Sequence, residues 1–559
     1  MPVQHEIDTL YLHGNVVTMD EANPRADAVA TAGERIVAVG QASELRELAG
    51  PATRVVDLGG RTMIPGFVEP HTHGPIYSQE VFDSVNLRCP PLGVVDRFST
   101  LLERLRERAE QTPSGEWIIG ARFDEHSFTD DPRLPTRWDL DEVSTEHPIF
   151  VTHRSGHSAA ANSHALRLAG IDENTPDPRG GSLDREAGSQ EPNGILRGKG
   201  AVFQVWGLIP ELDDDAALAR LSISQNDYLL SGITSTHDAY ILPGWARLYQ
   251  KALARDLLPV RTTMFLDAGV AFNANGQASF VSGFGNDHLR IGAVKLFADG
   301  SVPGFTGWLT EPYLTPVNGN AQHVGSPTTP PEVLAEQVLR AHSQGFQVAI
   351  HAGGDAGIDS AIDAIRKAQE SDGRTDARHR IEHAHCTRED QLEAMAELGI
   401  TPSFFIGHVY YWGDRYVEHI LGQERADRIS PLRSAIEHGV RFSVHSDSPH
   451  VPADPLRDLY SCVTRETSGG RVLGAEQQID VQQALRAVTI DAAWQSFTEQ
   501  DVGSIEPGKF ADLTILDEDP LTTPAEQLRH IGVAEVVIGG QTRYDRETSD
   551  KVKTFVDVS

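Results

Sequence analysis

The sequence predicts an α/β protein: a (β/α)8 TIM barrel with a β-sandwich built from both chain ends and an inserted α+β domain. Three observations support this fold class. Strand-like and helical runs alternate regularly from Gly232 to about residue 500. Both ends of the chain are rich in short β-type runs, whereas the middle is not. A long segment of mixed character follows the first barrel-type strand, and it exceeds the length of a single βα connection.

The two ends of the chain, residues 1–61 and 501–559, are expected to form one composite β-sandwich. Runs such as residues 35–40 and 534–540 are rich in β-branched side chains. Gly and Asn separate the N-terminal runs, as in sheets with tight turns. One sandwich made from both termini is the most economical interpretation.

Residues 62–75 and 231–500 are expected to form the barrel. Its eight strand-like runs are the run that ends at His73 and residues 232–237, 259–266, 289–297, 346–351, 380–383, 400–405 and 441–447, and helical runs at 331–344, 357–371 and 388–398 lie between them. Residues 76–230 are the expected insert, which includes a charged helix at 94–111. Because the insert follows the first strand on the side of the βα loops, we expect it to cover the active site.

Composition and charge exclude several classes of protein. The net charge of −32 argues against nucleic-acid partners, because phosphate binding needs clustered Lys and Arg. The chain has no run of about 18 apolar residues and no signal peptide at its start, so neither a membrane span nor export is expected. Cys89, Cys386 and Cys462 are too scattered for a disulfide framework or a cysteine zinc site. These features together indicate a cytoplasmic protein.

The most informative stretch is residues 68–73, in which His71 and His73 end an apolar run. Residues i and i+2 of a strand point to the same face, so both imidazoles can reach one metal ion. Further ligand-type side chains end later strand-like runs: Lys295, His351, His383 and Asp447. Each of these alone is ambiguous, and a His at the end of a strand is more often a structural residue than a ligand. Together, at the mouth of one barrel, they favour a metal centre.

These motifs resemble those of the amidohydrolase superfamily, in particular its amidohydrolase-3 (YtcJ-like) branch. The similar segments are residues 65–73, 294–301, 351–355, 380–383, 446–449 and 503–513, with residues 155–158 and 192–196 of the insert. The resemblance therefore extends over nearly the whole chain. One departure is Glu69, which stands where Asp is common before the His-x-His pair.

The resemblance implies a centre with two divalent metal ions. His71 and His73, with Asp447, would bind the more buried ion, and His351 and His383 would bind the other. Lys295, carboxylated on its amine, would bridge the two ions, since a carbamate supplies two anionic oxygens. Imidazole and carboxylate donors suit Zn²⁺, with Fe, Mn or Ni as alternatives.

Other side chains are candidates for supporting roles. Three carboxylates could orient the metal ligands, namely Asp299, Asp355 and Glu382, although Asp299 could instead cap the following turn. Substrate contacts are expected from Arg154 and His157 of the insert, from Phe305 and Trp308 of a long loop, and from His385. The aromatic residues could equally pack the insert on the barrel. His385 and His445 could be supporting donors, substrate contacts, extra ligands or structural residues.

The predicted reaction is metal-dependent hydrolysis of a carbon–nitrogen bond other than a peptide bond. The substrate would be a small amide, an N-formyl or N-acyl amine, or a cyclic amide. Asp447 would accept a proton from the attacking water and return it to the leaving nitrogen. Alternatives are an ester or lactone hydrolase with the same metal chemistry, and a non-catalytic binding or regulatory protein on the same fold. A homodimer is expected from the resemblance.

Overall fold

The computed structural model describes residues 6–78, 81, 83–156, 158–210, 212–317, 319–374 and 376–555. The chain divides into two compact units. The first consists of residues 1–74 and 222–553, and the second of residues 75–221 and 554–559. In the part of the chain that is described, no helix is both long and apolar enough to cross a membrane. The first unit holds three sheets and the second holds one.

The largest sheet of the first unit has eight parallel strands that follow one another in chain order. They are β1 (Phe67–Thr72), β2 (Ile233–Ile241), β3 (Arg261–Asp267), β4 (Leu289–Phe297), β5 (Val348–Ala352), β6 (Arg380–His383), β7 (Thr401–Phe404) and β8 (Ser443–Val444). An isolated parallel bridge between Thr72 and Ser448 brings the two ends of the sheet together. The amide of His73 donates to the Ser448 carbonyl at 2.8 Å. The predicted (β/α)8 barrel is therefore confirmed.

Helices lie between the barrel strands in the chain, and three more follow the last strand. They are Pro243–Ala254, Ala268–Ala271, Pro331–Ser343, Asp355–Asp372, Glu389–Leu398, Gly407–Arg415, Gln423–Ala426, Leu432–Glu437, Pro455–Thr464, Val481–Ala487 and Ile490–Gln495. In the helix Asp355–Asp372, Ile358, Ala361 and Ile365 are all buried. This spacing of three and four residues defines one apolar face, which explains why the predicted helix at 357–371 forms.

Two smaller sheets of the first unit are built from the chain ends, and the second of them combines strands from both ends. One contains Thr9–Leu12, Ala28–Ala32, Arg35–Gly40 and Arg54–Asp57, and the other contains Asn15–Val17, Arg25–Ala26, Thr62–Pro65, Leu513–Leu516, Val533–Ile538 and Gln541–Asp545. Leu513–Leu516 pairs antiparallel with Thr62–Pro65, which joins the two termini directly. Val16, Met63 and Ile515 belong to one buried apolar cluster. The domain boundaries given above remain a prediction.

The second unit is an α+β structure with a six-stranded sheet. Its strands are Val85–Asn86, Ile118–Phe123, Ile149–His153, Ser158–Ala161, Ser182–Arg185 and Pro192–Arg197, and its helices include Phe98–Gln111, Arg137–Asp141, Ser163–Leu168 and Lys199–Trp206. The expected start of the first of these helices at residue 94 is wrong. The carboxylate of Asp130 accepts the amides of Phe98 and Ser99, and this distant cap fixes the helix start.

Candidate active site

His71, His73 and Asp447 converge at the carboxyl ends of the barrel strands. One ligand atom from each of the three side chains lies within 4.8 Å of the others. The Asp447 Oδ1 atom is 3.1 Å from His73 Nε2 and 3.5 Å from His71 Nε2. His71 and His73 come from the end of β1, and Asp447 follows β8. Closure of the barrel between these two strands therefore brings together residues that are far apart in the sequence.

The other three predicted ligands extend this group along β4, β5 and β6. Lys295 is buried, with its Nζ atom 3.4 Å from His71 Nε2. The imidazole rings of His351 and His383 have centroids 4.4 Å apart, and the His383 centroid is 4.9 Å from that of His71. The structure thus places all six predicted ligands in one contiguous cluster.

The buried ion pair of Arg380 and Glu382 contacts this cluster through His71. Glu382 accepts a hydrogen bond from His71 Nδ1 at 2.5 Å, as expected for a carboxylate that orients a ligand. Arg380 donates to Glu382 at 2.7 and 3.1 Å, and its Nη1 atom lies 3.0 Å from His237 Nδ1. Sequence reasoning missed Arg380 and His237. The alternation of β6 could have identified Arg380, since residues 380 and 382 share one face of the strand.

Two imidazoles of the cluster, those of His71 and His383, are held in their neutral form. Burial, with the added repulsion of Lys295, holds the pKa of His71 well below its usual range. Burial and the neighbouring His351 do the same to the pKa of His383. Because His71 donates from Nδ1 to Glu382, its Nε2 atom keeps a lone pair directed at Lys295 and Asp447. Metal ligation requires such a neutral imidazole.

His445, whose role the sequence left open, contacts one of the predicted ligands. Its Nε2 atom is 3.1 Å from His383 Nδ1, and its Nδ1 atom is 2.9 Å from the hydroxyl of Ser403. Its ring also stacks on that of His71 with a centroid distance of 4.8 Å. These contacts fix the orientation of two predicted ligands at once.

Glu69 ties β1 to the segment that carries Asp447. Its carboxyl accepts the amide of Ser446 at 3.2 Å and the Ser446 hydroxyl at 2.9 Å. Burial raises the pKa of Glu69 well above its usual range. Asp447 itself has φ of 55°, and His383 has φ of 74°. Residues other than Gly seldom adopt this left-handed backbone, and they concentrate at functional sites.

The two remaining candidate carboxylates bond chiefly to backbone and loop groups. Asp299 accepts the amides of Trp308, Gly353 and Gly354 at 2.8–2.9 Å, whereas its nearest approach to His351 is 3.9 Å. Burial raises the pKa of Asp299 to about 7. Asp355 begins a helix and accepts hydrogen bonds from Thr310 and Arg388. Asp299 thus binds backbone amides of the loop after β4 and of the segment after β5, and its role in orienting a metal ligand stays a prediction.

His385 is buried against an aromatic wall close to the cluster. Its ring lies 3.8 Å from that of His408, with Phe405 and Tyr416 at centroid distances of 6.2 and 6.4 Å. Neither ring nitrogen has a hydrogen-bond partner among the described residues. Burial lowers the pKa of His385 to about 3, so the ring is neutral. Sequence reasoning did not identify His408, which follows β7 on a short helix.

Trp308 and Phe305 lie on the loop that follows β4. Trp308 is held by backbone hydrogen bonds, and Phe305 makes a ring contact within the loop. The amide of Trp308 is bound by Asp299, and the Trp308 carbonyl accepts the amides of Ala356 and Gly357 at 3.1 and 3.2 Å. The Phe305 ring lies 5.1 Å from that of Tyr313. This loop is therefore anchored to the carboxyl end of β5.

Two predicted substrate contacts belong to the second unit. Arg154 follows the strand Ile149–His153 and donates to Asp124 at 2.7 Å. His157 lies outside the described residues. Its partner Asp124 belongs to a group with Glu125 and His153, which sequence reasoning did not single out.

The donor chemistry of the barrel cluster fits divalent metal ions. Asp447 Oδ1 and His73 Nδ1 are buried, and within the described part of the chain neither has a hydrogen-bond partner. A buried carboxylate oxygen without a partner is costly, which favours a cation at this point. Neutral imidazoles and a carboxylate are the donors that Zn²⁺ prefers in catalytic sites.

Comparison with known proteins gives the same result. The model of the amidohydrolase family matches residues 54–544. The chain is 33% identical to the N-substituted formamide deformylase of Arthrobacter pascens, over 97% of this chain and 99% of that protein. It is 29% identical to the putative amidohydrolase YtcJ of Bacillus subtilis, over 95% of this chain and 98% of that protein.

A solved structure shares the same architecture. It is the crystal structure of an uncharacterized metal-dependent hydrolase from Pyrococcus horikoshii, with 25% identity and a TM-score of 0.74, and the match covers 93% of this chain and 99% of that one. The resemblance seen in the sequence motifs is thereby confirmed. The chain belongs to the amidohydrolase family and is a metal-dependent hydrolase of carbon–nitrogen bonds.

Proposed function

We propose that the protein hydrolyses the carbon–nitrogen bond of an N-substituted formamide or a closely related small amide. The observation that best supports this proposal is the convergence of His71, His73 and Asp447 on one point. At this point, Asp447 Oδ1 lacks a hydrogen-bond partner among the described residues. The substrate class is inferred from the name of the deformylase that matches nearly the full length of the chain.

The proposed metal centre uses the six residues of the barrel cluster. His71, His73 and Asp447 would hold one divalent ion, and His351 and His383 a second. Zn²⁺ is the proposed metal, with Fe, Mn or Ni as alternatives. When bound, the metal supplies Lewis-acid activation of water and of the scissile carbonyl.

Lys295 is proposed to carry a carboxylate on Nζ. An unmodified ammonium 3.4 Å from His71 Nε2 would repel any cation held by that imidazole. The ammonium first loses one proton, and the free amine then reacts with CO₂ to form an N–C bond with release of a second proton, so a negative charge replaces the positive one. Burial in a lysine-poor chain is consistent with a specific chemical use of this side chain.

Asp447 is the proposed proton carrier. Its Oδ1 atom faces the two imidazoles, and its Oδ2 atom lies 3.7 Å from His450 Nε2. The carboxylate would take a proton from the attacking water and give it to the leaving nitrogen. The left-handed backbone at residue 447 fixes the carboxylate in this position.

The proposed substrate pocket includes His385, Phe305 and Trp308. His385 offers a neutral imidazole with two unused nitrogens beside His408 and Phe405. Such a wall suits a flat or apolar N-substituent, with one imidazole hydrogen bond to fix its orientation. Arg154 and His157 remain proposed contacts from the second unit.

A substrate panel tests this proposal. The enzyme, stripped with chelator and reloaded with Zn²⁺, is assayed on matched N-substituted formamides, longer N-acyl amines, cyclic amides, esters and lactones. We expect metal-dependent release of formate and amine with the formamides at the highest kcat/KM. Faster turnover of esters, or equal turnover before and after metal removal, would contradict the proposal.

A further inference from the structure

We propose that Asp124, Glu125 and His153 form an additional site for a divalent cation, within the unit built by residues 75–221. One ligand atom from each side chain lies within 4.8 Å of the other two. The proposed ligand is a transition-metal ion such as Zn²⁺, which accepts imidazole and carboxylate donors together. None of these three residues belongs to the six-residue barrel cluster.

Strand register brings these three residues together. The strands Ile118–Phe123 and Ile149–His153 are parallel neighbours, and Phe123 pairs with His153. Asp124 and Glu125 follow Phe123 directly, so both carboxylates lie at the edge of the sheet where His153 ends its own strand. The Asp124 carboxylate also accepts the amide of His126 at 3.2 Å, which fixes the turn that carries Glu125.

The geometry between His153 and Glu125 indicates a missing positive charge. Only 7% of His153 is exposed, and its Nε2 atom lies 3.1 Å from Glu125 Oε2. Within the described residues, neither atom completes a hydrogen bond. His153 Nδ1 lies 2.8 Å from the hydroxyl of Ser155. The Ser155 amide also lies 3.2 Å from Nδ1, so the ring has two competing tautomers. If Nδ1 donates to the Ser155 hydroxyl, the Nε2 lone pair faces a carboxylate oxygen, and a cation between the two relieves the repulsion. If Nδ1 instead accepts the Ser155 amide, Nε2 carries the proton and faces Glu125 without a cation.

The charges around the cluster leave room for a cation. Arg154 neutralises one carboxylate, because its Nη1 atom is 2.7 Å from Asp124 Oδ2. His126 lies 3.2 Å from the other oxygen of Glu125. Two carboxylates and one guanidinium carry a net charge of −1 when both histidines are neutral. A proton on His153 is the competing way to balance this charge, and it is the alternative outcome of the test.

Metal counting in the full-length protein distinguishes a cation from a proton. The background is the variant His71→Asn/His73→Asn, which weakens the barrel cluster. After chelator treatment and reloading with ZnCl₂, we expect the background to retain one zinc per chain that is lost on adding Glu125→Gln or His153→Gln. Asp131→Asn is the matched control, since it removes a nearby carboxylate that pairs with Arg133, and it should leave the zinc count unchanged.

Thermal unfolding with and without zinc provides a second readout. Zinc should raise the Tm of the background and of its Asp131→Asn derivative, but not that of the Glu125→Gln derivative. If Glu125→Gln does not fold, Glu125→Asp keeps the charge and should bind zinc at least about 10-fold more weakly. Retention of the same zinc count and affinity in these variants would overturn the proposal, because the zinc would then be bound elsewhere. A background that holds no zinc would overturn it as well and assign the contact to a proton on His153. Neither result bears on hydrolysis at the barrel.

Discussion

Two groups of strand-end residues in this protein share one construction and differ in their surroundings. The barrel cluster places His73 Nε2 and Asp447 Oδ1 3.1 Å apart, and the second unit places His153 Nε2 and Glu125 Oε2 at the same distance. In both places, parallel strands end side by side and carry imidazole and carboxylate groups. Convergence of ligand-type residues is therefore a result of sheet register, and by itself it does not define a reaction.

The two groups differ in the hydrogen bonds and charges that surround their imidazoles and carboxylates. In the barrel, Glu382 fixes the tautomer of His71, and burial keeps that imidazole neutral. In the second unit, burial alone would raise the pKa of Glu125, but the contacts with His153 and His126 hold it well below its usual range. The barrel group is thus arranged to present lone pairs, whereas in the other group Arg154 already compensates one of the two carboxylates.

The largest expected effect is that of Asp447→Asn. This change keeps the shape of the side chain but removes the carboxylate that would carry the proton. We expect kcat to fall by about 10²–10⁴-fold while zinc remains bound, because general acid–base help is worth that much. Asp480→Asn is the control, since Asp480 is an exposed helix cap and Asn also caps helices. Near-normal kcat in metal-loaded Asp447→Asn would remove this residue from the proton-transfer role.

Lys295→Ala tests the proposed carbamate bridge, which is proposed for the barrel cluster and not for the group around His153. We expect the variant to lose one or both zinc ions and most of its activity, since the anionic oxygens of the carbamate are gone. Formate or acetate should restore part of the activity by filling the space left by the side chain. Metal content and turnover are measured with and without these acids. A fully active, fully metal-loaded Lys295→Ala variant would contradict the carbamate assignment.

Glu382→Gln tests whether the buried ion pair of Arg380 and Glu382 supports the metal ligands of the barrel cluster. This ion pair is one of the features that distinguish the barrel cluster from the group around His153. Arg380 and Glu382 are both fully buried, so loss of the carboxylate charge leaves a buried guanidinium without its partner. We expect zinc affinity to fall by about 10–100-fold and the free energy of unfolding to fall by about 3–5 kcal/mol.

Zinc titration and chemical denaturation measure these two effects of Glu382→Gln. Glu389→Gln is the matched control, because Glu389 forms half-exposed pairs with Arg428 and His438. Equal zinc affinity and equal stability of the two variants would show that the buried pair does not support the metal ligands.

The smallest expected effect is that of His385→Phe. The ring retains its packing on His408 but loses both nitrogens, so one hydrogen bond to substrate disappears. We expect kcat/KM for the preferred formamide to fall by about 10-fold, since a net hydrogen bond is worth about 1 kcal/mol, with zinc content unchanged. An unchanged kcat/KM would make His385 a packing residue only.

The sequence was sufficient to predict the barrel and the grouping of its ligand-type residues. The apolar runs of the strands and the polar residue at the end of each run are local features, and the fold places them together. The roles of Arg380 and His237 could not be predicted, because Arg380 reaches His237 across the barrel interior and no local pattern records that contact. The group around His153 was missed because it depends on the register of two strands separated by a helix.

The helix start at Phe98 shows the same limit. Its cap is the carboxylate of Asp130, which is distant in the sequence, and the residues from 94 to 97 carry no signal that excludes a helix. Contacts of this kind are set by tertiary packing. They are therefore seen only in the structure.

Anomalous diffraction from crystals of the zinc-loaded protein tests the central claim most directly. Data collected on both sides of the zinc absorption edge locate each ion without reference to activity. We expect one zinc peak bound by His71, His73 and Asp447 and a second bound by His351 and His383. We also expect carboxylate density on Lys295 between the two peaks. Zinc bound elsewhere, with Lys295 unmodified and hydrogen-bonded to His71, would contradict it.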